Sequence, residues 1–227
     1  MSVIAKICGI NDETAMRTAI EAGARFVGLV FYPPSPRALD PDTAATLAAL
    51  VPAGVAKVGL FVDPDDALLD AVLTKVPLDL IQLHGDESPA RCLDIRERTE
   101  LPVMKVIKVA NAADVEATHA YAGAVDWLMF DAKAPKEMPN ALPGGNALAF
   151  DWTLLSAHEW PVPWMLAGGL NADNVTRPCL LRAPPSSMYH RAWRPRRAAR
   201  TRNEFGRFSK RWEAFDGFPV EQTNNDV

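Results

Sequence analysis

Cysteine and long apolar runs are scarce in this sequence, and each scarcity excludes a class of protein. The three cysteines, Cys8, Cys92 and Cys179, share no metal-type spacing and cannot all pair, so a reducing cytoplasm is the expected compartment. No stretch reaches the roughly 18 apolar residues of a membrane span. The first letters, MSVIAKICGIND, lack a charged leader followed by an apolar core. We therefore expect no signal peptide and no membrane partner.

What is present is the composition of a globular protein with unevenly distributed charge. The 227 residues are 48% hydrophobic and 23% charged, which suits one domain of α/β-barrel size or two small ones. Residues 176–227 hold 11 of the 24 Lys and Arg but only 5 of the 28 Asp and Glu. Such a reversal ordinarily indicates a basic nucleic-acid-binding tail, unless these residues are translated from a shifted reading frame.

Short apolar runs alternate with helical patterns up to Val175. The runs are continuous rather than alternating, which is typical of parallel strands covered on both faces. We predict strands at residues 3–8, 26–31, 56–62, 79–84, 102–109, 125–131 and 164–169. We predict helices at residues 12–23, 41–51, 64–75, 88–98, 111–120 and about 150–158.

Three of the helices begin with capping signals. Asp12, Asp40 and Asp63 precede or open helices in the manner of N-caps, and Pro64 suits a first helical position, where its missing N–H costs nothing. Seven strands alternating with helices predict an α/β fold, a (β/α)8 TIM-type barrel that is incomplete because its eighth unit is not recognisable. A doubly wound open sheet is the alternative, although its usual glycine-rich fingerprint after the first strand is absent.

In a barrel, active-site residues lie at the carboxyl ends of the strands, and these ends form the mouth of the barrel. Cys8 ends the first predicted strand, where its thiol could act as a base if nearby positive charge favours the thiolate. An inert buried cysteine is the plainer alternative. Asp131 closes the sixth strand and either points into the mouth or caps the following turn. A base and an acid across one mouth suit a reaction that moves a proton between neighbouring carbons.

Other residues at these strand ends suit the binding of anionic groups. Arg37 follows a proline-stiffened loop, where a guanidinium can hold a carboxylate or phosphate through two hydrogen bonds unless it is simply solvated. The loops PGGN at 143–146 and AGG at 167–169 precede helix starts, where free backbone N–H groups can hold a phosphate. His84 and Lys108 are more often structural or peripheral than catalytic at such positions.

Seven motifs follow one another over residues 3–175: KICGI, VGLVFYPPSPR, VGLFVD, IQLHGDE, FDAK, LPGGN and LAGGLNADNV. In order and spacing they resemble the phosphoribosylanthranilate isomerase family of tryptophan biosynthesis. The resemblance implies a (β/α) barrel with a small phosphosugar–anthranilate substrate and no metal or organic cofactor. The implied reaction is the Amadori rearrangement of N-(5-phosphoribosyl)anthranilate to 1-(2-carboxyphenylamino)-1-deoxyribulose 5-phosphate. A monomer or a homodimer is expected.

The resemblance also implies a role for each residue at the mouth. Asp131 would be the general acid that opens the sugar ring, and Cys8 the general base that removes the C2′ proton. Arg37 would hold the anthranilate carboxylate, and loops after strands six to eight would hold the phosphate through backbone N–H groups. The substrate-binding residues predicted besides Arg37 are His84, Gly144, Gly145, Asn146, Gly168 and Gly169.

Ala147 departs from the family pattern, in which a further glycine is usual at this point of the loop. Its methyl group would crowd a close approach of the backbone to the phosphate, or disfavour a positive φ. We expect weaker substrate binding rather than its loss.

After Val175 the resemblance stops. The family would continue with a helix, an eighth strand ending VDVSSGVE and a closing helix, whereas this chain mixes arginine, proline and tryptophan. Read from the third base of each codon, permitted codons for TRPCLLRAPPSSMYHRAW give APVLASGASVVDVSSGV, and Met188-Tyr189 forces the valine of DVSS. We therefore predict a barrel domain over residues 1–175, an out-of-frame and irregular tail over residues 176–227, and no nucleic-acid partner.

Three other hypotheses compete with the isomerase. The first is a non-catalytic remnant of an enzyme, because a missing eighth unit would leave two strand edges unpaired. A barrel with a basic interaction tail is another, and nucleic-acid binding at physiological salt would favour it. A different phosphosugar isomerase or epimerase is the third, although the SPR carboxylate clamp and the Cys–Asp pair argue against it.

Overall fold

Strands and helices alternate along the chain, as the apolar pattern predicts. The structure, a computed structural model, describes residues 5–135, 138, 142–144, 146 and 148–171. The strands in these ranges are β1 Lys6–Cys8, β2 Phe26–Val30, β3 Ala56–Phe61, β4 Leu80–Leu83, β5 Val103–Val109, β6 Trp127–Ala132 and β7 Trp164–Leu166. The α-helices are α1 Glu13–Glu21, α2 Pro41–Ala49, α3 Asp66–Leu73, α4 Pro89–Thr99 and α5 Ala112–Glu116, and 3-10 helices span Ala117–Tyr121 and Trp152–Leu155. No helix in the described ranges combines the length and the hydrophobicity needed to cross a bilayer.

The strands form one parallel sheet whose order follows the chain from β1 to β7. A doubly wound sheet instead reverses its strand order at a switch point. The sequential order therefore excludes that alternative and matches a (β/α) barrel. The predicted eighth unit, the boundary at residue 175 and the tail lie outside the described residues.

Two apolar layers cover the two faces of the sheet. The inner layer consists of Phe26, Ala56, Val58, Leu80, Met104, Val106, Trp127 and Met129. The outer layer packs against the helices and includes Val27, Ile81, Val103, Leu128 and Phe130. Because successive residues of a strand point to opposite faces, covering both faces makes the strands apolar throughout. The same alternation puts Cys8, Gln82, His84 and Asp131 on the inner face.

The helix starts bear out two of the three predicted N-caps. Asp12 caps α1 and Asp40 caps α2 through hydrogen bonds from side chain to backbone. The prediction for Asp63 and Pro64 is wrong, because Asp65 caps α3. Asp63 has a positive φ of 45°, and its carboxylate accepts a hydrogen bond from the loop after β4. Its role is a tertiary contact, which the local sequence does not encode.

The last two predicted elements are shorter than expected. The helix predicted at 150–158 is a short 3-10 helix, Trp152–Leu155, because aromatic and β-branched residues are weak helix formers and Pro161 follows closely. The strand predicted at 164–169 ends at Leu166, since Gly168 and Gly169 take positive φ angles of 81° and 68°. Those angles belong to the left-handed region and not to a strand.

Candidate active site

The carboxyl ends of the strands gather polar side chains in the otherwise apolar inner layer. Gln82, His84 and Asp131 are only 1%, 6% and 8% exposed. Gln82 Nε2 lies 3.4 Å from His84 Nδ1, and His84 Nε2 lies 3.3 Å from Asp131 Oδ2, an ion-pair distance without hydrogen-bond geometry. The three side chains therefore form one line that ends at the mouth.

Two glycines close over the carboxylate of Asp131. A Cβ atom at Gly144 would lie 2.9 Å from Asp131 Oδ2, and one at Gly168 would lie 3.1 Å from Oδ1. Oδ1 also accepts a hydrogen bond of 2.9 Å from the N–H of Ala132. Asp131 thus points into the mouth while it holds the next peptide, and backbone from both predicted phosphate loops reaches it.

Cys8 and Lys6 share a face of β1, since residues two apart on a strand point the same way. Gly28 on β2 is the sheet partner of Cys8. A Cβ atom at Gly28 would lie 2.7 Å from Cys8 Sγ and 3.1 Å from Lys6 Nζ. The glycine therefore leaves room for a thiol and an ammonium group side by side. Cys8 is free and half-buried, unlike the fully buried cysteine of the plainer alternative.

Arg37 comes back over the mouth from the loop after β2. Its backbone N–H donates to Ser35 Oγ at 3.2 Å, and the loop closes by a backbone hydrogen bond to the end of β2. Gly9 has a φ of 79°, and a Cβ atom there would lie 2.6 Å from Arg37 Cδ. No carboxylate of the described residues forms an ion pair with this guanidinium. A half-buried cation beside Gly9 is therefore available to an anionic ligand.

The predicted phosphate loops follow β6 and β7. The two glycines after β7 take left-handed angles that glycine adopts without strain. Asn146 accepts a hydrogen bond from the N–H of Leu142 and donates one to its carbonyl oxygen, so the side chain closes its own loop. Gly145 and Ala147 lie outside the described residues.

Lys108 lies at the rim, as expected for a peripheral residue. Its Nζ is 2.9 Å from Asp86 Oδ1, and Asp86 is exposed. The hydrogen bond and the charge of Lys108 hold the pKa of Asp86 below its ordinary value. The pair fixes the edge of the loop that begins at His84.

A buried ion pair beside the mouth was not predicted from the sequence. Lys105 Nζ lies 2.7 Å from Glu87 Oε2, and the two side chains are 3% and 1% exposed. Lys105 also donates to the carbonyl oxygen of Gly85, while Glu87 Oε1 accepts hydrogen bonds from the N–H groups of Asp63 and Gly85. The only signal for this pair is a lysine inside an apolar strand.

Comparison with known proteins identifies the family. The family model of N-(5'phosphoribosyl)anthranilate (PRA) isomerase matches residues 5–182. This chain is a member of the phosphoribosylanthranilate isomerase family. Phosphoribosylanthranilate isomerase carries out the isomerisation step of tryptophan biosynthesis, so the predicted enzyme class is confirmed.

Two similar isomerases match most of the chain. The N-(5'-phosphoribosyl)anthranilate isomerase of Paramagnetospirillum magneticum is 59% identical over 175 residues, which are 77% of this chain and 80% of that protein. The isomerase of Paracoccus denitrificans is 56% identical over 185 residues, which are 81% of this chain and 85% of that protein.

Solved phosphoribosylanthranilate isomerases share the fold. The enzyme from Thermotoga maritima superposes with a TM-score of 0.75 at 30% identity, covering 93% of this chain and 99% of that one. An isomerase in complex with reduced 1-(o-carboxyphenylamino)-1-deoxyribulose 5-phosphate has a TM-score of 0.71 at 28% identity, with the same coverage. The predicted barrel fold is thereby confirmed.

Proposed function

We propose that the barrel mouth performs the Amadori rearrangement with Asp131 as the general acid and Cys8 as the general base. Asp131 protonates the ribose ring oxygen, the bond from C1′ to that oxygen breaks, and the nitrogen lone pair forms a protonated Schiff base. The Cys8 thiolate then takes the C2′ proton and leaves an enolamine. Loss of the 2′-hydroxyl proton and protonation of C1′ give the aminoketone, so the atoms and electrons balance within the substrate.

The position of the acid is the observation that carries this proposal. Asp131 is buried at the carboxyl end of β6, on the inner face, under Gly144 and Gly168. In a barrel this is where catalytic side chains lie. His84 lies beside Oδ2 of the carboxylate, where it can orient Asp131 and contact the sugar. Lys6, beside Cys8, adds positive charge on the side of the base.

The remaining groups suit the two anionic ends of the substrate. Arg37, which has no acidic partner among the described residues, clamps the anthranilate carboxylate. The loops that carry Gly144, Gly145 and Asn146, and Gly168 and Gly169, offer backbone N–H groups to the phosphate. An isomerase was solved with a ligand that carries both a carboxyphenyl group and a phosphate, which supports this division.

Single substitutions test these roles in a version whose reading frame is restored after Val175. Cys8→Ser and Asp131→Asn should each lower kcat by ~10²–10⁴-fold, whereas Arg37→Ala should chiefly raise KM. The measurement is consumption of N-(5'-phosphoribosyl)anthranilate. Cys92→Ala and Asp94→Asn are matched controls outside the mouth and should keep kcat. Turnover near that of the parent in Cys8→Ser or Asp131→Asn would remove that residue from the mechanism.

We also propose that residues 1–175 form the barrel domain and that residues 176–227 are read out of frame. The similarity to the Paramagnetospirillum magneticum isomerase spans 175 residues and leaves a fifth of that protein unmatched, which supports the proposal. The basic composition of residues 176–227 is then a by-product of the shifted reading frame, and we propose no nucleic-acid partner. The same observation favours a second candidate, a chain that descends from the isomerase but lacks activity.

The proposed setting is the cytoplasm, with a small phosphosugar–anthranilate substrate as the partner. The free thiols of Cys8 and Cys92 suit a reducing compartment. A monomer or a homodimer is proposed because a Thermotoga maritima isomerase is described as dimeric and was also solved as monomers. Sedimentation of the frame-restored chain distinguishes the two states.

A further inference from the structure

Two of the chain's four histidines meet on the outer side of the sheet. His119 lies in the 3-10 helix after α5, and His158 lies between the second 3-10 helix and β7. The nitrogen atoms that face each other, Nε2 of His119 and Nδ1 of His158, are 3.4 Å apart. Glu116 precedes His119 by three residues, and the ligand atoms of all three side chains lie within 4.8 Å of one another.

Trp160 holds both imidazole rings in place. Its ring centroid is 5.3 Å from that of His119 and 5.2 Å from that of His158, with interplanar angles of 22° in both cases. The indole is buried and packs against Phe130 of β6 at a centroid distance of 4.8 Å. A fixed indole surface limits the rotation of both rings, so the two nitrogen atoms are preorganised to face one point.

We propose that Glu116, His119 and His158 form a binding site for a divalent transition-metal ion of the Zn²⁺ type. Two nitrogen ligands at ~2.0–2.1 Å from a tetrahedral zinc ion lie about 3.3 Å apart, which matches the observed separation of 3.4 Å. Residues three apart on a helical turn share a face, so Glu116 can swing its exposed carboxylate to the same point. Water completes the coordination at the open side.

The ligand set decides the kind of metal. Imidazole nitrogen suits Zn²⁺, Cu²⁺ and Ni²⁺, whereas Mg²⁺ and Ca²⁺ take oxygen ligands. Two nitrogen atoms and one carboxylate therefore favour Zn²⁺ over Mg²⁺. The competing explanation is that the two imidazole rings form only a hydrogen bond with each other. In that case the protein would bind neither Zn²⁺ nor Mg²⁺ at this place.

The site would connect two segments that are distant from each other in the sequence. His119 belongs to the connection between α5 and β6, and His158 belongs to the connection that leads into β7. Phe130 faces this outer side, whereas Asp131 faces the inner side, so the sheet separates the metal site from the mouth. The ion would stabilise the packing of these segments and take no part in the proton transfers.

Metal titration of the soluble fraction of the full chain tests the proposal. Metal-free protein is titrated with Zn²⁺ in competition with a chromogenic chelator, and we expect one ion per chain. His119→Gln and His158→Gln should each weaken the affinity roughly tenfold or more, and the double substitution should abolish binding. His190→Gln, which changes a histidine outside the described residues, is the matched control and should bind like the parent. Unchanged stoichiometry and affinity in the double variant would overturn the site.

A second measurement on the unsubstituted chain does not depend on the folding of any variant. In ¹⁵N-labelled protein, Zn²⁺ should shift the resonances of His119 Nε2 and His158 Nδ1, and Mg²⁺ at the same concentration should not. Zn²⁺ should also raise the melting temperature, because a ligand that binds only the folded state stabilises it. Shifts confined to His84 or His190, with His119 and His158 unmoved, would overturn the proposal, because the ion would then bind elsewhere.

Discussion

At four positions around the mouth, any residue larger than glycine would clash with a side chain of the proposed site. A Cβ atom would lie 2.6 Å from Arg37 Cδ at Gly9 and 2.7 Å from Cys8 Sγ at Gly28. At Gly144 and Gly168 it would come within 2.9 Å and 3.1 Å of the Asp131 carboxylate oxygens. Real Cβ contacts are rarely so short, so each glycine fixes how closely the backbone approaches a reactive group.

The two described cysteines should differ in reactivity. Burial raises the pKa of the Cys92 thiol to about 11, so at pH 8 it stays protonated and shielded. Cys8 is half-buried at the mouth and open to a reagent. In the frame-restored chain, where Cys179 is replaced, we expect iodoacetamide at pH 8 to modify Cys8 while Cys92 remains unmodified, as measured by peptide mass spectrometry.

Unfolding provides the control for this prediction. In urea Cys92 should react at the rate of an ordinary thiol, because the burial that raises its pKa is lost. Modification of Cys92 before Cys8 in the folded chain would contradict the packing of α4 against the sheet.

Between elements, one buried ion pair ties together the loops after β3 and β4 and the strand β5. Glu87 accepts hydrogen bonds from the backbone of both loops, and Lys105 reaches it from β5. Tyr121 also donates its hydroxyl hydrogen to the carbonyl oxygen of Glu87. The loop that carries His84 is therefore held from three directions.

Glu87→Gln should destabilise the chain strongly. The amide keeps a hydrogen-bond acceptor for the loops but leaves the Lys105 ammonium buried without a counter-charge. Breaking a buried pair on one side typically costs ~3–5 kcal/mol. Urea denaturation of the frame-restored chain, with and without Glu87→Gln, measures the loss in the free energy of unfolding.

The double variant Glu87→Gln with Lys105→Met separates charge from packing. Because it removes both charges, it should recover much of the lost free energy of unfolding. If the double variant is no more stable than Glu87→Gln, the unpaired charge is not the cause.

The strands could be predicted from the sequence, but the contacts between loops could not. Continuous apolar runs marked all seven strands because both faces of each strand are covered. Asp63 was misassigned as a cap because its carboxylate instead accepts a hydrogen bond from the backbone N–H of Asp86, 23 residues further along the chain. Lys6, Gln82 and Lys105 each interrupt an apolar run, and that interruption was the signal available for polar groups on the inner face, at Lys6 and Gln82, and under the helices, at Lys105. Their partners depend on how the strands are arranged, which no local pattern contains.

For the whole molecule, the charge reversal after residue 175 separates an acidic part from a basic part. Residues 176–227 hold 11 basic and 5 acidic residues, against 13 and 23 before them. A closing strand and helix would bury several large apolar side chains, each contributing ~1.5–3 kcal/mol on full burial. A domain has only ~5–15 kcal/mol of net stability. Loss of that unit would therefore consume most of the margin.

We expect the 227-residue chain to be poorly soluble and to have little isomerase activity, and restoration of the frame after Val175 to recover both. The measurement is complementation of a tryptophan auxotroph that lacks the isomerase, with the soluble fraction determined for both versions. A frame-restored chain that carries Asp131→Asn is the control, since it should be soluble but fail to complement. Full growth and a cooperative melt from the 227-residue chain would mean that its tail does supply a closing element.

The neighbour-to-neighbour order of the sheet has a consequence for biosynthesis. Paired residues lie 20 positions apart at Lys6 and Phe26 and 36 apart at Leu128 and Trp164, so each described strand pairs only with the one made just before or after it. At ~5–20 residues per second, a ribosome produces the chain from β1 to β7 in about 10–30 s, and the sheet can grow as the chain emerges. A reading-frame error in the last part of the gene would therefore leave the pairing partners of these seven strands in place. What such an error removes is the closure of the ring, and chaperones and proteases would meet a nearly finished barrel instead of an unfolded chain.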